Sequence, residues 1–450
     1  MQFRLSSLAS AIGATVHGPD VVVDGVSIDS RSIQRGNLFV PIVAERDGHD
    51  FIDGAVQAGA AAVVAAAGIA EAWGDDNRPG VPALVVEDTA EALTAIGIEA
   101  RRRMRGSVIG ITGSVGKTSV KDLARAACEG ATVGDRVVWA SSASFNNELG
   151  VPLTLANAPD DTDIAIVEMG ARGIGHIAAL AAVASPTIGV VTAVALAHSE
   201  LFGSIDAVAQ GKGELVEALP TDGTAVLNGA DPRVAAMAAR TAAAVSTYGP
   251  APAEVTVGPV TLDQLLRPTF DVTAQGQTVS VTLEARGAHM ASNAGAAVAA
   301  ALAAGVSLDD AVAGLARVEV SRWRMEVDTG PDGLIVINDA YNANPTSMRA
   351  ALAALAAVEA DHRVAVIGSM AELGEEGPDE HLSVAAEARE VGTAVIAVDA
   401  PAYGADGVDH VPDGAAALEQ LRTLGPGAAV LVKGSRVAGL ETVAAGLLGH

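Results

Sequence analysis

Short runs rich in Val and Ile alternate along this chain with longer alanine-rich stretches, and that alternation predicts its elements. In the first hundred or so residues, Val21–Ile28, Leu38–Val43 and Ala61–Ala66 read as strands and Phe51–Ala58 as a helix. From Val108 the pattern changes: VIGITGSVGKTSVKDLARAA reads as strand, glycine loop and helix. Ile164–Val167, Ile188–Val194 and Thr224–Leu227 follow as buried strands with alanine-rich helices between them. Such strands belong in a parallel sheet covered on both faces. Between Thr247 and Leu283 the segments alternate more (Val255–Val257, Thr269–Val272, Val279–Leu283), which predicts antiparallel pairs at the sheet edge, and Ala291–Ala304 reads as a helix. After Trp323 come a strand at Leu334–Ile337, a helix at Ser347–Val358 and strands at Arg363–Gly368, Val391–Val398 and Ala428–Val432, a smaller doubly wound unit. The fold class is α/β, in three domains over residues 1–104, 105–320 and 321–450. No internal repeat and no long linker interrupts them.

Ile177–Ala197 carries no charged residue and is long enough to span a bilayer. Ser185-Pro186 breaks it in the middle and its second half is β-branched, so it reads as helix, turn and buried strand, with no stable membrane insertion. The N-terminus lacks a basic region followed by a long apolar core, so no signal peptide is expected. The single cysteine, Cys128, rules out an intrachain disulfide, reads as core, and fits the reducing cytoplasm.

Charge narrows the partners. With 54 acidic against 28 basic residues the net charge is −26, which argues against binding nucleic-acid backbone and leaves room only for a local positive pocket. The basic cluster Arg101-Arg102-Arg103-Met104-Arg105 reads as a solvated helix end, with phosphate contact as the alternative.

Thr112-Gly113-Ser114-Val115-Gly116-Lys117-Thr118 carries the strongest chemical signal. It follows an apolar strand and opens a helix. Glycines let backbone N–H groups wrap a phosphate, Lys117 neutralises its oxygens, and the Thr118 hydroxyl suits Mg²⁺. The general pattern wants glycine where Ile111 stands, and Thr112-Gly113 takes over. The reading is ATP binding with Mg²⁺.

This loop variant resembles that of the Mur ligases and their folylpolyglutamate ligase relatives. Further segments resemble the family's dipeptide-adding branch in the right order: Phe145–Thr154 (FNNELGVPLT), Ile166–Gly170 (IVEMG), Ala197–Ser204 (AHSELFGS), Gly211–Leu215 (GKGEL), Asp339–Pro345 (DAYNANP) and Lys433–Arg436 (KGSR). Asp29-Ser30-Arg31, Gly36, Phe39 and Asp47-Gly48-His49 resemble its uridine-nucleotide domain.

The resemblance implies an ATP-dependent ligase that makes a peptide bond through an acyl phosphate, taking UDP-N-acetylmuramoyl-tripeptide and D-alanyl-D-alanine and acting as a monomer. It implies Mg²⁺ on Thr118, Glu168, His198 and a carbamylated Lys212. It puts ATP on Thr112–Thr118, Asn293, Arg324 and Asp339, and the peptide substrates on Ser30, Arg31, Asp47, Gly48, His49, Asn146, Asn147, Asn342 and Asn344. Lys117, Glu168, His198 and Lys212 are the implied catalytic set. Two positions depart from the family: Ser369 where GDMxELG has an acid, and Trp323 where GRMEV has glycine. A sister ligase adding one amino acid and a nucleotide-binding protein without chemistry are the alternatives. The absent DNPR motif opposes the first, and the intact Lys117, Glu168, His198 and Lys212 oppose the second.

Overall fold

The structure is a computed structural model that describes residues 1–73, 79–131, 134, 136–141, 144–195, 202–330, 333–371 and 373–449. The buried runs are its central strands. Across the largest sheet lie Val138–Ala140, Ile164–Glu168, Ser107–Thr112, Ile188–Val191, Thr224–Asn228 and Ala244–Gly249, all parallel. Alternate residues of these strands feed opposite cores. Val108, Ala165, Val167 and Val191 face one apolar cluster, while Ile109, Ile111, Ile166 and Val190 face another with Leu123 and Val298. Burial on both faces is why these strands read as unbroken hydrophobic runs.

The sheet edge differs in part from the sequence reading. Val255–Val257 is antiparallel to Pro268–Ala274 on one side but parallel to Ala244–Gly249 on the other, so it joins the two halves of one sheet. Pro268–Ala274 then pairs antiparallel with Gln277–Thr282.

Ile177–Ala197 divides as helix His176–Ala184, a left-handed Ser185 at φ 41°, and strand Ile188–Val191. Among the described residues no helix is long and apolar enough to cross a membrane. The Arg101–Arg105 cluster closes helix Thr89–Arg103. Arg101 donates to the carbonyls of Ala184 (2.9 Å) and Ser185, and Arg102 and Arg103 both bind Glu99, so these three guanidiniums are engaged within the fold.

Residues before 104 form a five-stranded sheet in the order Thr15–His17, Ala83–Val86, Ala62–Ala66, Leu38–Phe39, Val26–Ser27, and a separate pair of Gln2–Arg4 with Val22–Asp24. The run Val21–Ile28 is thus two strands. Gly25 (φ 74°) divides them, and a Cβ there would lie 2.6 Å from Asn157 Oδ1. Asn157 in turn pairs with both Val26 N–H and C=O at 2.9 Å, as a neighbouring strand would. Helix Thr89–Arg103 lies against helix Gly150–Ala156, and a Cβ on Gly97 would come within 2.6 Å of Pro152. One apolar cluster therefore runs from Phe3, Leu84 and Ile96 into Val108, Val151, Val167 and Leu180.

The last third forms a six-stranded sheet: Glu326–Thr329, Ile335–Asn338, Ala428–Lys433, His362–Ile367, Ala394–Val398 and Val408–Val411, parallel except for the first strand. Its strand ends at Asn338, Ile367 and Lys433 meet at one edge, which faces the phosphate loop.

Candidate active site

The chain leaves strand Ser107–Thr112 to one side for its next two strands and returns to the other side for Ile188–Val191. Ligands of open α/β sheets bind at such a reversal, beyond the strand ends. The phosphate loop sits there. Gly113 has φ 147°, and a Cβ on it would fall 1.9 Å from Thr192 Oγ1; Gly116 has φ 84°, and its Cβ would fall 2.8 Å from Asn293 Oδ1. Glycine is required at both by conformation and by space. Thr192 donates to Val115 O (2.6 Å), Ser114 N–H to Ala193 O (2.8 Å), Thr112 Oγ1 to Met169 O (2.9 Å), and Lys117 Nζ to Gly113 O (2.7 Å). The first three bonds hold the loop from outside, and the last ties it to itself.

Around it the structure gathers side chains from distant segments. Buried Glu168, at the end of strand Ile164–Glu168, accepts from Thr118 Oγ1 (2.9 Å) and Asn146 Nδ2 (2.8 Å). Ser144 Oγ lies 3.2 Å from the same hydroxyl, and Arg324 Nη2 donates to it at 3.0 Å. Thr118, Asn146, Glu168 and Arg324 are thus one hydrogen-bonded unit, although Thr118 and Arg324 are 206 positions apart. Asn147 uses its carbonyl to accept from Gly150 N–H (2.9 Å).

Lys212 lies on helix Ile205–Glu217 and is buried, and among the described residues its Nζ has no hydrogen-bond or ion-pair partner. Desolvation first, and then the Lys117 charge, hold its ammonium well below the usual 10.5. Glu214, two residues on, accepts from Gly175 N–H (2.5 Å) and Ala178 N–H (2.9 Å), and so fixes the start of helix His176–Ala184 to the Lys212 helix. His198 lies outside the described residues. Among the described residues no three His, Cys, Asp or Glu side chains cluster as metal ligands.

The opposite wall comes from the C-terminal sheet. Asp339 follows strand Ile335–Asn338 and pairs with buried Lys433 at 2.5 Å, while its other oxygen accepts from Met325 N–H at 3.1 Å. Lys433 also donates to Asn342 O (2.8 Å). Asn344 caps helix Pro345–Ala357 in a capping box with Ser347. Trp323 and Met325 are both left-handed (φ 59° and 55°). Such conformations cost side-chain-bearing residues about 1–3 kcal/mol each. That accounts for glycine being at home at position 323. Here Arg436 lies 4.5 Å over the Trp323 ring instead. Ser369 shapes its loop through the backbone, accepting from Ser435 N–H at 3.0 Å.

Between these walls lies a cleft of about 630 Å³, lined by Ser114–Thr118, Asn146, Asn147, Glu168, Asn293, Arg324, Asp339, Asn342 and Asn344. It does not reach the N-terminal candidates. His49 Nδ1–H donates to Asp47 Oδ1 (2.6 Å) and His49 Nε2 accepts from Ala66 N–H (3.1 Å). Gly48 sits against Ile42, where a Cβ would meet its backbone at 2.5 Å. Arg31 is 88% exposed and paired with Asp29 at 2.7 Å, beside Ser30.

Several residues of the cleft are not foreseen from the sequence: Ser144, Arg172, His176, His289, Tyr341, Lys433 and Arg436. Tyr341 stands inside the DAYNANP segment and Lys433 and Arg436 inside KGSR, and those segments are the signal that points to them. His289, held below its ordinary range by burial despite the neighbouring Asp339, carried no motif of its own.

Three stretches match families described as Mur ligase family, catalytic domain (residues 22–101), Mur ligase middle domain (111–301) and Mur ligase, glutamate ligase domain (323–436). The chain is 42% identical to UDP-N-acetylmuramoyl-tripeptide--D-alanyl-D-alanine ligase of Mycobacterium tuberculosis over 95% of this chain and 92% of that protein. Among solved structures, MurF from Acinetobacter baumannii superposes with a TM-score of 0.87 at 27% identity, covering 100% of this chain and 99% of that one. The MurF ligase of Thermotoga maritima in complex with ADP shares the fold, with a TM-score of 0.79 at 24% identity over 94% and 96%. The chain belongs to the Mur ligase family of ATP-dependent ligases.

Proposed function

We propose that this ligase adds D-alanyl-D-alanine to UDP-N-acetylmuramoyl-tripeptide in the cytoplasmic synthesis of peptidoglycan precursor, acting as a monomer. The observation that carries the reading is the contact of Arg324 with Thr118, which joins a phosphate loop to the opposing domain across one cleft. Residues 1–104 are read as the uridine-nucleotide domain, 105–320 as the ATP domain and 321–450 as the domain that closes on it.

A carboxylate does not acylate an amine at neutral pH. The terminal phosphoryl group of ATP passes to the acceptor's carboxylate oxygen, with ADP leaving. The amine nitrogen of the dipeptide then attacks the carbonyl carbon, phosphate departs, and the amine gives up its proton. The protein's part is placement and charge neutralisation. Lys117 and Arg324 face the phosphoryl oxygens, Asn293 and Asp339 the nucleoside, and Asn146 and Asn147 the acyl group. Asn342 and Asn344, with Ser30, Arg31, Asp47, Gly48 and His49 further off, are read as substrate contacts.

Mg²⁺ fits the donors present: a hydroxyl and a buried carboxylate oxygen, Thr118 Oγ1 and Glu168 Oε2, lie 2.9 Å apart. Bound there, with a second ion on His198, it would supply positive charge at the phosphates. Lys212 would join them as a carbamate. CO₂ adds to an unprotonated amine, and burial, with the Lys117 charge after it, shifts this one toward that form.

The test is phosphate release from ATP with the two peptide substrates supplied singly and together. Release that needs both is expected. Equal release with neither would sink the reading.

A further inference from the structure

Arg324 is held without a carboxylate. Its guanidinium lies 4.1 Å from the Tyr341 ring centroid, Nη2 donates to Thr118 Oγ1 at 3.0 Å, and Nε is buried with no hydrogen-bond partner. Among the described residues no Asp or Glu oxygen lies within ion-pair distance of it, and unlike Arg101 and Arg363, which lack a carboxylate but donate to backbone carbonyls, its only hydrogen bond is to Thr118. In a chain with 54 acidic residues, a cation bedded on an aromatic face is a specific arrangement.

The ring is itself anchored. Tyr341 N–H donates to Trp323 O at 3.2 Å, and Asn342 O, the next carbonyl, is held by Lys433. Left-handed Trp323 and Met325 fix the backbone on either side of Arg324. Direction and support of this side chain are therefore set from both ends.

We infer that Tyr341 is a positioning residue for Arg324, and that it holds the guanidinium without neutralising it. A carboxylate partner would fix the side chain equally well but would cancel much of its field. A ring quadrupole attracts the cation and carries no net charge. The full positive charge stays available to the phosphoryl oxygens, next to Thr118. This rests on the nucleotide reading of the cleft given above.

Steady-state kinetics of the full chain with ATP and both peptide substrates test it. Tyr341→Leu should lower kcat about ten-fold, the worth of a partly desolvated cation–ring pair, with KM for ATP moving less than about three-fold. Tyr341→Phe keeps the ring and should restore kcat to within about two-fold. Arg324→Ala should lose more than either, and adding Tyr341→Leu to it should cost nothing further, since a residue that acts only through Arg324 has nothing left to act on. Tyr341→Met serves if the leucine variant fails to fold, judged by its melting temperature. Multiplying losses in the double variant, a phenylalanine variant as slow as leucine, or an unaffected leucine variant would each overturn the role. Wild-type chain that neither releases phosphate nor binds ADP would instead overturn the nucleotide reading beneath it.

Discussion

At the scale of single residues, this site depends on groups denied their ordinary surroundings. Lys117 sits at the mouth of a loop whose shape is fixed by Thr192 and Gly113, so removing its side chain should leave the fold intact. Lys117→Ala should lower turnover by about 10³-fold with an unchanged melting temperature. Lys212 runs the other way: it costs stability where it stands. The unfolded chain keeps this proton up to about 10.5, whereas the folded protein releases it at lower pH because of burial and the Lys117 charge. Across that window the unfolded state binds more protons, so stability rises with pH. In CO₂-depleted, metal-free buffer, Lys212→Met should be more stable than wild type at neutral pH and should flatten that rise. Denaturation midpoints at two or three pH values read both effects, and a less stable methionine variant would contradict the assignment. Cys128, whose thiol burial pushes up to about 12, stays inert as the sequence suggested. The phosphate-loop glycines were legible because their motif encodes their geometry. The mutual engagement of Asp47 and His49 was not, because nothing in a sequence says that Ala66 N–H will supply the second partner.

Among the elements, legibility tracked burial. Strands covered on both faces, such as Ile164–Glu168 and Ile188–Val191, announce themselves as apolar runs. Val26–Ser27 and Leu38–Phe39 were legible only inside the longer runs Val21–Ile28 and Leu38–Val43, since two residues are too short to show their own bounds. The split at Gly25 was not legible, as it follows from a partner more than a hundred positions away. Gly97 is a related case. It lies mid-helix, where glycine ordinarily costs up to about 1 kcal/mol against alanine. Its place against Pro152 reverses the sign, because a Cβ at 2.6 Å has backbone in its way, and overpacking costs about 1–3 kcal/mol. Gly97→Ala should therefore destabilise by about 1 kcal/mol net, seen as an earlier denaturation midpoint. A gain would mean the two helices can part without penalty.

The whole molecule has three domains, two of which face each other across a cleft. The cleft's walls belong to the central and C-terminal sheets, and Arg324 bridges them. ATP analogue plus acceptor should draw these walls together, and small-angle scattering should register a smaller radius of gyration; an unchanged curve would count against closure. The order of motifs made three parts legible. It could not say which parts share a core, because packing across a boundary leaves no local period. That sharing has a consequence for how acceptor preference could be re-engineered. Since Phe3, Leu84 and Ile96 are continuous with Val108, Val151 and Val167, and Asn157 stands in as a strand for Val26, the first hundred residues are not a cassette. A chimera that imports them from a relative will inherit a mismatched seam unless helix Gly150–Ala156 and Asn157 travel with them, whereas the C-terminal body can be exchanged at the Ser321–Arg324 joint with far less of the interior disturbed.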